Sequence, residues 1–130
     1  MAEEFALKII TPERTFYEGS ATFLEFTTEN GPVGIYKHHE PMTMLLAPGV
    51  LMIHEQSGVR KAALHSGFVE ITGETVTILA QIAEWPEEID KIRAEQAKLR
   101  AERKLKENGS NALDELALRR ALARIETLKD

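Results

Sequence analysis

The chain contains no cysteine, which excludes disulfides and thiolate metal sites and accords with a cytosolic setting. It has no apolar run near the ~20 residues that a bilayer crossing requires, so direct membrane insertion is not expected. Its start, Met1-Ala2-Glu3-Glu4, lacks the basic residues that open a secretory signal. No Gly-rich phosphate loop is present, since Gly31-Pro32-Val33-Gly34 reads as a turn. No serine or threonine stands with an evident base and orienting acid, and the acidic residues are scattered without a catalytic pair. Intrinsic catalysis is therefore not expected.

What is present divides in two. At 130 residues the chain suits one domain, or a small domain with an appendage. The net charge of −5 conceals an asymmetry: residues 1–86 carry 5 basic and 11 acidic side chains, whereas residues 87–130 carry 11 basic and 10 acidic ones. The acidic first segment argues against nucleic acid as a partner, because that binding needs a basic surface. The densely charged second segment suits an anion or an acidic protein surface.

In the first segment the periodicity is that of strands. Phe5, Leu7 and Ile9 alternate with Ala6, Lys8 and Ile10, and Thr11-Pro12-Glu13 turns the chain. Residues 20–28 read as one longer strand, stopped by Asn30-Gly31-Pro32. Further strands are expected at residues 33–36, 50–54, 59–65, 67–71 and 75–80. Ser57-Gly58 is taken as a hairpin turn that sets His54 opposite Lys61. Short strands without intervening helices predict an antiparallel sandwich or flattened barrel over residues 1–85.

The pattern changes at Trp85-Pro86. Proline favours the first position of a helix, and Glu87, Glu88 and Asp90 complement the helix dipole in a first turn. Good helix formers continue to Lys106. Asn108-Gly109-Ser110-Asn111 then breaks the helix, with Gly109 suited to a left-handed C-terminal conformation and Ser110 or Asn111 to capping the next helix. Two apolar stripes follow helical spacing: Ile89, Ile92, Leu99 and Leu105, then Leu113, Leu116, Ala117, Ala121, Ile125 and Leu128. Residues 86–130 are thus expected to form a C-terminal α-helical hairpin that docks weakly. Opened, it would reach roughly 60 Å at 1.5 Å per residue.

Histidine gives little chemistry. His38 and His39 are adjacent, so their side chains diverge on extended backbone, and no metal site is expected. Asp90 and Arg93 stand at i and i+3, where the plain reading is a surface ion pair. Folding the hairpin about Gly109 sets Arg124 opposite Ala94, near Arg93, and Arg120 opposite Lys98, near Arg100. Such crowding is disfavoured unless an anion fills the gap, and arginine grips phosphate well. Asp90 could accept from an exocyclic amine, and small Ala94 leaves room for a flat base. All these arginines pointing to solvent is the bland alternative.

Several marks in order, Ile9-Ile10-Thr11-Pro12-Glu13, Gly34-Ile35 with His39-Glu40-Pro41, Ser66-Gly67-Phe68-Val69-Glu70, Val76-Thr77-Ile78-Leu79-Ala80 and Ala101-Glu102-Arg103-Lys104-Leu105, resemble the ε subunits of bacterial F-type ATP synthases. The resemblance covers essentially the whole chain. It implies a non-catalytic subunit whose β-sandwich binds the rotating γ subunit and rests on the membrane ring of c subunits. It also implies peripheral attachment at the cytoplasmic face of the bacterial plasma membrane. The hairpin would rise into the α and β subunits of the catalytic head and block ATP hydrolysis. Ile89, Asp90, Arg93 and Ala94 match the family's ATP-binding motif, and Arg120 and Arg124 match its basic positions on the second helix, with ATP as a regulatory ligand. One departure stands out: Tyr36-Lys37-His38-His39 replaces Leu-Pro-Gly-His, which is expected to alter that loop.

Two other functions compete. One is a free nucleotide-sensing module using the same hairpin; the other is a small lyase or binding protein with His38, His39 and Glu40 as its site. Co-purification with a γ subunit separates them.

Overall fold

The computed structural model describes residues 3–129, so the expected lack of a signal at Met1-Ala2 lies outside the described residues. Eight strands are followed by two helices. The strands are β1 (Phe5–Ile10), β2 (Thr15–Ala21), β3 (Phe23–Thr28), β4 (Gly31–Ile35), β5 (Met42–Leu46), β6 (Gly49–Glu55), β7 (Gly58–Thr72) and β8 (Thr75–Glu84). They pair in the order β2-β1-β8-β7-β5-β3-β4, with β6 joining β3 to β7. Alternation places Phe5, Leu7 and Ile9 of β1 inside, where they meet Leu24, Ile35, Leu51, Ile53, Val69 and Ile78.

The β-sandwich followed by a helical hairpin is as expected, with differences of detail. One pairing, β1 with β8, is parallel. The single strand expected over residues 20–28 is two, because the chain changes partner at Thr22. There both the backbone N–H and the hydroxyl donate to the His54 carbonyl, at 2.7 and 3.0 Å. The strands expected at residues 59–65 and 67–71 are one strand, β7, which pairs with β6 before Ser66-Gly67 and with β5 from Gly67 on. Ser66 has φ 47° and Gly67 φ 138°. A Cβ on Gly67 would lie 2.0 Å from the Leu79 carbonyl oxygen, so only glycine fits. The β6–β7 turn is Gln56-Ser57, with Glu55 opposite Gly58, so His54 faces Val59 and not Lys61. In the altered loop, His38 itself adopts φ 69°, holding a backbone conformation that the family's glycine would serve.

Proline 86 starts a 3-10 turn (Pro86–Glu88) rather than the long helix. Ile89 is extended, and α1 (Lys91–Asn108) begins after Asp90. Gly109 combines φ 77° with ψ 177°, a region open essentially to glycine alone, and not the left-handed helical conformation. Asn111 caps α2 (Ala112–Thr127), its Oδ1 accepting from the Asp114 N–H at 2.9 Å. Helices of 18 and 16 residues span about 50 Å end to end, shorter than expected.

The buried residues of the hairpin are mostly small: Ala94 and Ala101 of α1, and Ala121, Ala123 and Thr127 of α2. Ala121 and Ala123 stand about 200° apart around α2, so the two serve opposite sides of that helix. Of the expected stripes, the first is broken, with Ile92 68% and Leu99 59% exposed. The second holds at Ala121, which is buried, and at Leu116, Ile125 and Leu128, which are half-buried; Leu113 at its start is 81% exposed. The inner helix is α2, packed on β6 and β7, while α1 packs chiefly on α2.

Candidate functional site

Where the sandwich ends, the 3-10 turn, α1 and α2 enclose a cavity of about 320 Å³. Its lining includes Ile89, Asp90, Arg93, Ala94 and Arg124, five of the six residues singled out from sequence. Arg120 is not part of the lining; its Nε is buried without a hydrogen-bond partner. Sequence reasoning missed Glu84 and Arg100, which also line the cavity. Arg100 was legible only as a neighbour of Arg120 in the folded hairpin. Glu84 ends a strand, and nothing local marks it.

The helix start explains the motif's local geometry. Asp90 is the N-cap of α1, and its Oδ1 accepts from the backbone N–H of Arg93 at 3.0 Å. The expected ion pair between these side chains is absent among the described residues. Capping occupies one carboxylate oxygen and releases the Arg93 guanidinium, which has no ion-pair partner among the described residues; nor has Arg100. Two unpaired guanidiniums on one wall of a partly open cavity create a place where an anion lowers the electrostatic energy.

The opposite wall is already paired. Arg124 Nε donates to Glu84 Oε1 at 2.7 Å, and the same oxygen lies 3.1 Å from His65 Nε2. Burial raises the Glu84 carboxyl, but the hydrogen bonds from His65 and Arg124 outweigh it and hold the group below its ordinary value. Arg124 thus enters the cavity already tethered to the sandwich, not as the free cation that the hairpin geometry suggested.

The turn beneath the cavity is fixed by Glu88. Arg14 donates to both of its oxygens at 2.8 Å, and the Trp85 N–H donates to Oε1 at 2.9 Å. The bond from Arg14, then that from Trp85, hold the Glu88 carboxyl below its ordinary range. The Trp85 ring stacks on Phe16, with centroids 4.1 Å apart, and the Arg60 guanidinium lies 4.0 Å from the same ring's centre. Among the described residues no group of histidine and carboxylate side chains has the arrangement of a metal site. His38 instead lies 3.2 Å from Glu3, and His39 contacts the Glu40 carbonyl.

The architecture is a strand platform followed by a helical pair, with a cation-lined cavity at their junction. Two family models match the chain in succession: the beta-sandwich domain of the ATP synthase delta/epsilon chain over residues 4–86, and its long alpha-helix domain over residues 87–129. The chain belongs to this family of non-catalytic ATP synthase subunits. It is 43% identical to the ATP synthase epsilon chain of Caldanaerobacter subterraneus, covering 97% of this chain and 94% of that one. To the epsilon chain of Clostridium novyi it is 43% identical over 97% and 98%. In fold it resembles a chain of the Euglena gracilis mitochondrial ATP synthase seen by cryo-EM, at a TM-score of 0.78, with 22% identity over 96% of this chain and 79% of that one. No helix among the described residues is long and apolar enough to cross a membrane.

Proposed function

We propose that residues 1–85 are a platform coupling the γ rotor to the c-subunit ring, and that residues 86–130 are a regulatory arm. The subunit sits at the cytoplasmic face of the bacterial plasma membrane without entering it. Opened, the arm inhibits ATP hydrolysis by reaching the α and β subunits of the head; ATP, bound in the cavity, holds the arm folded. Ile89 and Ala94 flank the base, the free oxygen of Asp90 accepts from its amine, and Arg93 and Arg124 take the phosphates. Arg120 acts from the same face of α2, one turn before Arg124.

The observation that carries this reading is the cavity itself, which takes its walls from both helices and the sandwich end. A ligand there contacts parts that separate when the arm opens, so it binds the folded form better and shifts the population towards it. A row of outward side chains supports the platform role. Leu45, Phe68, Leu79 and Ile10 are in register across β5, β7, β8 and β1, and the first three are 64%, 41% and 36% exposed. Contiguous exposed apolar surface of this kind marks a protein contact.

Calorimetric titration with ATP is the test. Arg93→Ala should weaken binding roughly ten- to a hundredfold through loss of a charge-assisted contact. Asp90→Asn keeps the cap while removing the charge, and should lower discrimination for adenine more than affinity for phosphate. Unchanged binding in both variants would return Asp90 to a capping role alone.

A further inference from the structure

His65 is wholly buried in β7, outside the cavity lining, and takes no part in the nucleotide contacts described above. Its Nδ1 is buried and has no hydrogen-bond partner, while its Nε2 faces Glu84 Oε1. This arrangement selects one tautomer. A proton on Nδ1 would leave a buried donor unmet and turn the Nε2 lone pair towards a carboxylate. With the proton on Nε2, the ring donates to Glu84, and only a weakly demanding lone pair is left over.

Glu84 Oε1 therefore accepts two hydrogen bonds, from a residue of the sandwich core and from Arg124 of α2. Glu84 Oε2 has no partner among the described residues. Arg124 is bound through Nε alone, although an arginine beside a free carboxylate prefers a two-pronged grip on both oxygens. The bond from His65 fixes the plane of the carboxylate so that Arg124 meets a single oxygen. The terminal nitrogens of Arg124 stay available to the cavity.

We propose that His65 is a positioning residue for the nucleotide cavity: acting through Glu84, it stops Glu84 from claiming both edges of the Arg124 guanidinium and keeps that guanidinium open to an anionic ligand. The proposal rests on the reading of the cavity as an ATP site and adds a residue that never touches the ligand. Without His65 the carboxylate rotates into a bidentate pair with Arg124, and the wall facing the phosphates loses a cation while the hairpin stays docked.

The test titrates the full chain with ATP and, separately, with adenosine. His65→Leu removes the donor at similar volume and should weaken ATP binding about tenfold, with adenosine binding unchanged. His65→Gln, whose amide N–H reaches the same oxygen, should restore ATP affinity. Should the leucine variant not fold, His65→Asn, whose amide stops at the Nδ1 position, makes the same comparison. Nitrogen-15 spectra of the His65 ring supply a readout that mere packing would not move. They should show the Nε2–H tautomer in the wild type and change on Glu84→Gln. Wild-type ATP affinity in a folded leucine or asparagine variant would overturn the proposal, as would the Nδ1–H tautomer. An unmutated chain that binds no ATP would instead overturn the nucleotide reading, and the proposal with it.

Discussion

The arm is attached to the platform at two places of opposite character. Its root, residues 85–88, is held by a doubly hydrogen-bonded ion pair, an aromatic stack and a cation over the same indole. Its body is held by buried alanines, by the Arg124–Glu84 bond, and by Lys61 Nζ donating to the Lys129 carbonyl at 2.8 Å. Large stacked rings resist motion, and the Arg14–Glu88 pair adds a weaker, solvent-exposed tie. Alanines bury little area, and a few polar contacts can be exchanged for water. For the arm opening proposed above, the difference predicts a pivot beyond Glu88, at the extended Ile89 and the cap Asp90.

Trp85→Ala should give the largest effect if the root is the stronger attachment. Loss of a half-buried ring with stacking on both faces should cost about 2–4 kcal/mol in denaturant unfolding. A cost below that of the body contacts would reverse the ranking. Next comes Glu84→Gln, which removes a charged acceptor shared by His65 and Arg124. About 1.5–2 kcal/mol should disappear from the protection of α2 amides in hydrogen exchange, with the sandwich strands unaffected.

Acid separates the two attachments further. Both Glu84 and Glu88 have carboxyls lowered by folding, so each contributes stability that is complete above the ordinary value of 4.5. That contribution is lost as the pH falls through the lower folded value. Glu84 is the more enclosed of the two, its side chain 22% exposed against 37% for Glu88. Hydrogen exchange at a series of acidic pH values should therefore show α2 loosening before the root. The smallest effect is expected from Arg14→Ala. Its ion pair is solvent-exposed, so the denaturant midpoint should move little, and less still at high salt.

Sequence carried the division of the chain, because a change of hydrophobic period from two to about 3.6 survives without tertiary information. β1 was legible through Phe5, Leu7 and Ile9. β2 was partly hidden, since the consecutive residues Phe16 and Tyr17 are both buried and break the alternation. The Tyr17 phenol, pushed up by burial and by its bond to Glu55, reaches the polar edge that lets this second ring turn inward. β5 has mostly exposed side chains and gives a weak signal. At the site, Asp90 and Arg93 stood out by their i, i+3 spacing where the period changes, and Ala94 and Arg124 by reflection about the hinge; Asp90's capping role was misread because Pro86 also carries a valid helix-start signal. Glu84 lies forty residues from Arg124 in sequence. The packing of α2 on β6 and β7, with β8 paired beside β7, brings the two together.

Because α2 lies between α1 and the sandwich, the C-terminal end of the arm is tucked under the part that precedes it. In the opening proposed above, the outer helix straightens only once the inner one is released, so extension is expected to wait on a single slow event, the escape of α2. Fluorescent reporters on α1 and on α2 should then relax with one common time constant, whichever ligand or partner sets the final balance.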